Sequence, residues 1–148
     1  MTRRRARARL VIDTMVVIRG ARAFRQQPPD PNSVELSLIL AWLEEDAFVW
    51  LYSAEILDEY TEVLRRLTVP RQAVGRFVNL LRAGGELVTP TERAEYSPDP
   101  QDDPFYHCAL AGDADYIVTD NLRDFPPLAN RKRPRIFMPN EFWADFNK

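Results

Sequence analysis

The chain has 148 residues, 45% of them hydrophobic and 11% aromatic, which suits one domain with a buried core. Its single cysteine, Cys108, excludes an intrachain disulfide and a metal site built on thiolates, and points to a reducing compartment. The net charge of −2 is unevenly spread, because five of the 20 basic residues are arginines in the first nine positions and the 22 acids all come later.

Arg3, Arg4, Arg5, Arg7 and Arg9 run straight into LVID, without the apolar stretch and small-residue cleavage site of a secretory signal. Residues 1–8 are therefore expected to be an Arg-rich extension of one domain spanning 1–148, in the cytoplasm. The longest apolar run, LSLILAWL at 36–43, is broken by Ser37 and falls far short of the roughly 20 residues a membrane span requires. Further basic clusters are Arg19, Arg22 and Arg25, and Arg131, Lys132, Arg133 and Arg135. They suit a polyanion, although solvated surface charge explains each taken alone equally well.

The apolar run RLVI predicts a buried strand over 9–12 that ends at Asp13. Leu36, Ile39, Leu40 and Leu43 have helical spacing over 33–43, and a strand over 48–51 follows the Glu44-Glu45-Asp46 break. Ser53 can cap the next helix, whose stripe is Ile56, Tyr60, Val63 and Leu67. Pro70 opens a further helix with Val74, Phe77, Val78 and Leu81 inward and Gly84-Gly85 as its stop. A short strand over 86–88, a proline-bearing loop, and a helix from Asp103-Pro104 to Ala111 come next. Strands over 116–118 and 135–138 and a helix over 140–146 complete the chain. Strand and helix alternate, which predicts a parallel α/β sheet with helices on both faces.

Ligands of open parallel sheets collect where the strands end. RLVI and YIV end there in Asp13 and in Thr119-Asp120, although an aspartate after a strand also commonly starts a turn or caps a helix. Glu59 lies three residues after Ile56 and four before Val63, on the apolar stripe, whereas Glu55, Asp58 and Glu62 fall on the wet side. A carboxylate in that position needs an arginine partner or a cation. Asp103 is a natural N-cap, yet Asp99, Asp102 and Asp103 crowd within five residues, and one cap needs only one of them.

His107 is the sole histidine, which excludes a two-imidazole mechanism and a conventional zinc site, and it is expected to be packed. The five glycines form neither GxGxxG nor a Walker loop. The remaining carboxylates suit Mg²⁺ or Mn²⁺ and work on phosphate esters.

The ordered motifs LVIDT, SAEILDEYTEVLRR and DPQDDPFYHCALAGDADYIVTDNLRDFP resemble the PIN-domain family, in its branch of toxin components of toxin-antitoxin systems, over residues 10–127. The resemblance implies a three-layer α/β/α fold with a central parallel sheet, and Mg²⁺- or Mn²⁺-dependent cleavage of single-stranded RNA. It also implies frequent homodimerisation and neutralisation by a cognate antitoxin.

Residue by residue, Asp13, Glu59 and Asp103 match three family acids, with Asp102 an adjacent candidate. The fourth acid follows the TxD or TxN signature, where this chain reads Thr119-Asp120-Asn121, so Asp120 or Asp124 completes the set. Thr14, Thr119 and Asn121 are candidates for contacts with substrate or with the ligands. Met15 stands where many relatives have Asn, and Asn121 where many have Asp. The alternative function is a catalytically weakened adaptor of the same fold that binds RNA or protein. A response-regulator phosphoacceptor domain would need a lysine at a late strand end, and the lysines here are Lys132 and Lys148. The metal chemistry alone would serve DNA or flap cleavage equally well.

Overall fold

The computed structural model describes residues 7–147, so Arg3, Arg4, Arg5 and Lys148 lie outside the described residues. The strands are β1 (Arg9–Ile12), β2 (Val49–Tyr52), β3 (Glu86–Leu87), β4 (Tyr116–Val118) and β5 (Arg135–Phe137). They form one parallel sheet in the order β3-β2-β1-β4-β5, with Leu10 level with both Trp50 and Tyr116. Every strand therefore starts at one edge of the sheet and ends at the other. Asp13 and Thr119, which follow the central strands β1 and β4, share the carboxyl-end edge.

Six α-helices flank the sheet among the described residues: α1 (Thr14–Arg25), α2 (Val34–Glu45), α3 (Ala54–Arg66), α4 (Arg71–Gly84), α5 (Asp103–Ala111) and α6 (Pro139–Phe146). The architecture is the three-layer α/β/α fold that the alternation predicts. Ser33 and Ser53 cap α2 and α3 by accepting from the Leu36 and Ile56 amides, and Pro70 stands at the N-cap of α4.

Where the elements differ from expectation, packing is the reason. No helix was predicted over 14–25. Six residues of α1 are buried (Thr14, Val16, Val17, Ile18, Gly20 and Ala23), and they point in several directions around the axis, so no 3.6-residue stripe is visible. A Cβ on Gly20 would lie 2.5 Å from Ile39 Cδ1 and 3.3 Å from the Glu35 carbonyl oxygen, so this glycine lets α1 press closely against α2. The fully buried stripe of α3 is Ile56, Leu57, Tyr60 and Leu64, while Val63 and Leu67 are half-buried. Glu59 is half-buried, and Glu55, Asp58 and Glu62 are exposed as expected.

One face of the sheet carries an aromatic cluster in which the Trp50 ring meets Trp42, Tyr60 and Phe77 edge-on. On the other face α5 packs over β1, β2 and β4. The Tyr60 hydroxyl, fully buried, donates to the Ile12 carbonyl and accepts from Trp50 Nε1 at 3.4 Å. It thereby ties α3 to the residue just before Asp13. Tyr60→Phe leaves a buried carbonyl and a buried indole N–H without this partner and is expected to cost about 1–3 kcal/mol. Equilibrium urea unfolding checks this, and an unchanged midpoint would refute the tie.

Candidate metal centre

Asp13 occupies the N-cap position of α1, but its carboxylate does not cap the helix. Its Oδ2 instead accepts from Thr119 Oγ1 at 2.9 Å, and that hydroxyl accepts from the Asn121 amide at 2.9 Å. Thr119 is fully buried, so its hydroxyl serves the carboxylate and cannot reach a substrate phosphate. Thr14, the next residue after Asp13, donates its hydroxyl to Glu59 Oε2. The first strand end thus addresses two acids that stand 46 positions apart in the sequence.

The third and fourth contributions come from loops. Residues 100–102 make a single 3₁₀ turn before α5, and Asp102 is the N-cap of α5. The expectation that Asp103 caps the helix is corrected by its bonds: its Oδ1 accepts from the Tyr96 and Ser97 amides at 2.9 and 2.8 Å, in the loop leading to the site. Ser97 Oγ donates to the Asp124 carbonyl at 2.6 Å and accepts from the Asp99 amide at 3.0 Å. Together these bonds fix the loop that carries Asp99 to the loop that carries Asp124. Asp99, Asp102 and Asp124 each offer a carboxylate oxygen, all within 4.8 Å of one another. Asn121 Nδ2 donates to Asp124 Oδ2 at 2.7 Å.

Asp120 acts on Asp13 by its charge but is itself paired with a cation. Arg19 of α1 has Nη1 2.7 Å from Asp120 Oδ2, an ion pair in which that oxygen makes no aligned hydrogen bond. His107 is packed in α5 as expected, its Nε2 2.6 Å from the Ala94 carbonyl oxygen.

Burial raises the Asp102 carboxyl to about 7, and the charges of Asp13, Asp99, Asp124 and Glu59 add to the rise. Burial also lifts Asp13 to about 6, helped by Glu59 and Asp120 and opposed by the hydrogen bond from Thr119. Glu59 shifts upward, first from burial, with Glu62 and Asp99 adding to it and the Thr14 hydroxyl opposing it. Five carboxylates are therefore joined through Asp102, and Asp120 adds its charge at Asp13. The donor set is all oxygen, which fits a hard divalent cation such as Mg²⁺ or Mn²⁺, and a cation would relieve the repulsion.

Of the acids expected from sequence, Asp124 lies beside Asp102, and the charges of Asp13 and Glu59 reach it. Asp103 is held by the loop amides, and Asp120 is paired with Arg19. Asp99 was visible only as one member of a crowded acidic stretch. Its place in the cluster depends on the backbone path of the loop, which has no signal in residue spacing.

A family model described as PIN domain matches residues 9–123, from the first strand into the loop after β4. No curated protein matches the chain.

Because the Asp13 and Asp102 carboxyls both shift upward, the folded chain holds more protons than the unfolded chain between the ordinary carboxyl range and about 7. Cation-free stability from these groups therefore falls as pH rises through that window. With chelator present, the thermal midpoint is expected to drop between about pH 5 and about pH 8, and to drop less for Asp102→Asn, whose side chain cannot ionise. Equal drops for the two proteins would show that Asp102 is not perturbed.

Proposed function

The chain belongs to the PIN-domain family, and from that premise we propose that it is a Mg²⁺- or Mn²⁺-dependent endoribonuclease that cuts single-stranded RNA. In this reading Asp13, Glu59, Asp99, Asp102 and Asp124 hold the cation. The observation that carries it is Asp102, raised by burial among four other carboxylates and within reach of Asp99 and Asp124. When bound, a divalent cation there lowers the pKa of the attacking water and offsets charge on the scissile phosphate.

The protein's own groups aim and hold the acids. Thr119 orients Asp13, Thr14 orients Glu59, and Asn121 orients Asp124. Asp103 fixes the approach of the Asp99 loop, and Asp120 orients Arg19. These are positioning roles for the two acids. Asn121 in a position where relatives have Asp has a task in this arrangement, so it does not favour a decayed adaptor.

The ordered sequence motifs further support the role of a cytoplasmic toxin, acting as a homodimer and neutralised by a cognate antitoxin. Expression in a bacterial host is then expected to slow growth, and expression of Asp13→Asn is not.

Purified protein is expected to cut a mixed single-stranded RNA with Mn²⁺ and to stop when EDTA is added. Asp13→Asn, Glu59→Gln and Asp102→Asn should each lower the rate on the order of 100-fold. Asp103→Asn keeps the oxygen that accepts both loop amides, so its rate should stay within about tenfold of wild type. Cleavage is expected to leave 5′-phosphate and 3′-hydroxyl ends. Ends carrying 2′,3′-cyclic phosphate, or cleavage that survives chelation, would overturn the reading.

A further inference from the structure

Between Thr14 and Ala23, helix α1 buries six side chains, leaves Ala21 half-buried, and exposes Met15, Arg19 and Arg22. Steps of four and then three residues return a helix to the same face, so these three side chains form a single exposed ridge. The ridge starts two residues after Asp13. At its second position the Arg19 guanidinium pairs with Asp120, yet the Arg19 side chain keeps 49% of its surface exposed while that of Asp120 keeps 12%. Asp120 is also one of the carboxylates that Asp13 feels. Arg19 is thus held by one anchor at the rim of the acid cluster, and most of its five N–H donors remain available to a ligand.

Most other paired arginines lie elsewhere; the exceptions are Arg93, which pairs with Glu55 in the first turn of α3, and Arg66, which pairs with Glu62 one turn from Glu59. Arg9 begins β1 and pairs with Glu86, while Arg135 begins β5 and pairs with Asp145. Arg133, two residues before β5, pairs with Asp113 and Asp115, and Arg7 pairs with Asp46. The strands start at the edge of the sheet away from Asp13 and Thr119, so these cations sit far from the cluster and are matched by acids there. Of the basic clusters in the described residues, the α1 ridge is the one that reaches the carboxyl-end edge.

As far as Ala23 the ridge is one residue wide and flanked by buried positions, and the exposed Phe24 and Arg25 extend it only at the last turn of α1. That is too narrow to bury the roughly 800 Å² that a stable protein partner takes on each side. It suits an extended strand, with cations for its phosphates and the exposed Met15 thioether for a base.

Resting on the nuclease reading above, we propose that Met15, Arg19 and Arg22 form the track by which single-stranded RNA enters or leaves the carboxylate cluster. Arg19, aimed by Asp120, grips the phosphate nearest the cluster, and Arg22 grips a further one. Asp120 is therefore a positioning residue for RNA.

The test is fluorescence anisotropy of a short 5′-labelled oligouridylate, with Ca²⁺ replacing Mn²⁺ to suppress cutting, over a range of salt, alongside calorimetric titration of each protein with Mn²⁺. Arg19→Gln and Arg22→Gln are each expected to weaken RNA binding about fivefold and to make the salt dependence shallower by roughly 0.7 in log–log slope. Arg76→Gln, an exposed change on α4, should match wild type. Asp120→Asn should weaken RNA binding in the same direction as Arg19→Gln, add little on top of it, and leave Mn²⁺ binding intact.

Arg22 forms no ion pair among the described residues, so its variant tests the track even if loss of the Arg19–Asp120 pair perturbs folding. If wild type binds and cuts RNA but Arg22→Gln matches Arg76→Gln, the track is wrong and the nuclease reading stands. If wild type binds neither Mn²⁺ nor RNA, the nuclease reading itself has failed and the track falls with it.

Discussion

Mutual repulsion among carboxylates that the fold forces together shapes the surroundings of the site. Asp102 is half-buried in the field of Asp13, Asp99, Asp124 and Glu59; among the described residues none of these five forms an ion pair, and the one cation that eases the field is Arg66, acting on Glu59. Neutral donors hold the cluster instead: two threonine hydroxyls and an asparagine amide. Neutral donors aim a carboxylate without cancelling its charge, so the field that would attract a divalent cation stays intact. An arginine in the same place would have stabilised the empty site and weakened its hold on metal.

The cost of that arrangement falls on the core. The sheet is buried from both sides, with Leu10, Val11, Ile12, Ile117 and Val118 fully inaccessible, and the acids sit directly beyond these strands. The Tyr60 hydroxyl on the Ile12 carbonyl and the Asp13 amide on the Val118 carbonyl join the last residues of β1 and β4 to their neighbours just where the repulsion begins. The scaffold and the site therefore meet in residues 12–14. A change there that loosens packing would also move Asp13 and Thr14, and through Thr14 the carboxylate of Glu59.

Much of this was legible in the sequence, because its signals are local. RLVI and YIV read as buried strands, Ser33 and Ser53 as caps, Pro70 as a helix start, and Glu59 as a carboxylate on an apolar stripe. What was not legible depends on chain path. Helix α1 is buried around most of its circumference and gives no stripe, so the Arg19 and Arg22 ridge was visible only as a basic cluster without a face. Asp102 and Asp103 are adjacent and chemically identical. Which of them joins the cluster is decided by the 3₁₀ turn over 100–102 and by the Tyr96 and Ser97 amides that occupy Asp103. Asp120 and Asp124 were likewise separated by partners distant in sequence, Arg19 for one and the acid cluster for the other.

The distribution of charge follows the polarity of the parallel sheet. At the edge where the strands begin, Arg9, Arg133 and Arg135 meet Glu86, Asp113, Asp115 and Asp145, and charge is locally matched. At the edge where the strands end, acids exceed bases, and the Arg19–Asp120 pair stands at the rim. A polyanion approaching that second edge meets a repulsive centre unless a cation fills it, and meets attraction along α1 whether or not it is filled. On the proposed nuclease reading, cation occupancy and strand binding are therefore thermodynamically linked: a metal would convert the middle of the path from repulsive to attractive, and a bound strand would in turn raise the affinity for metal by the same factor.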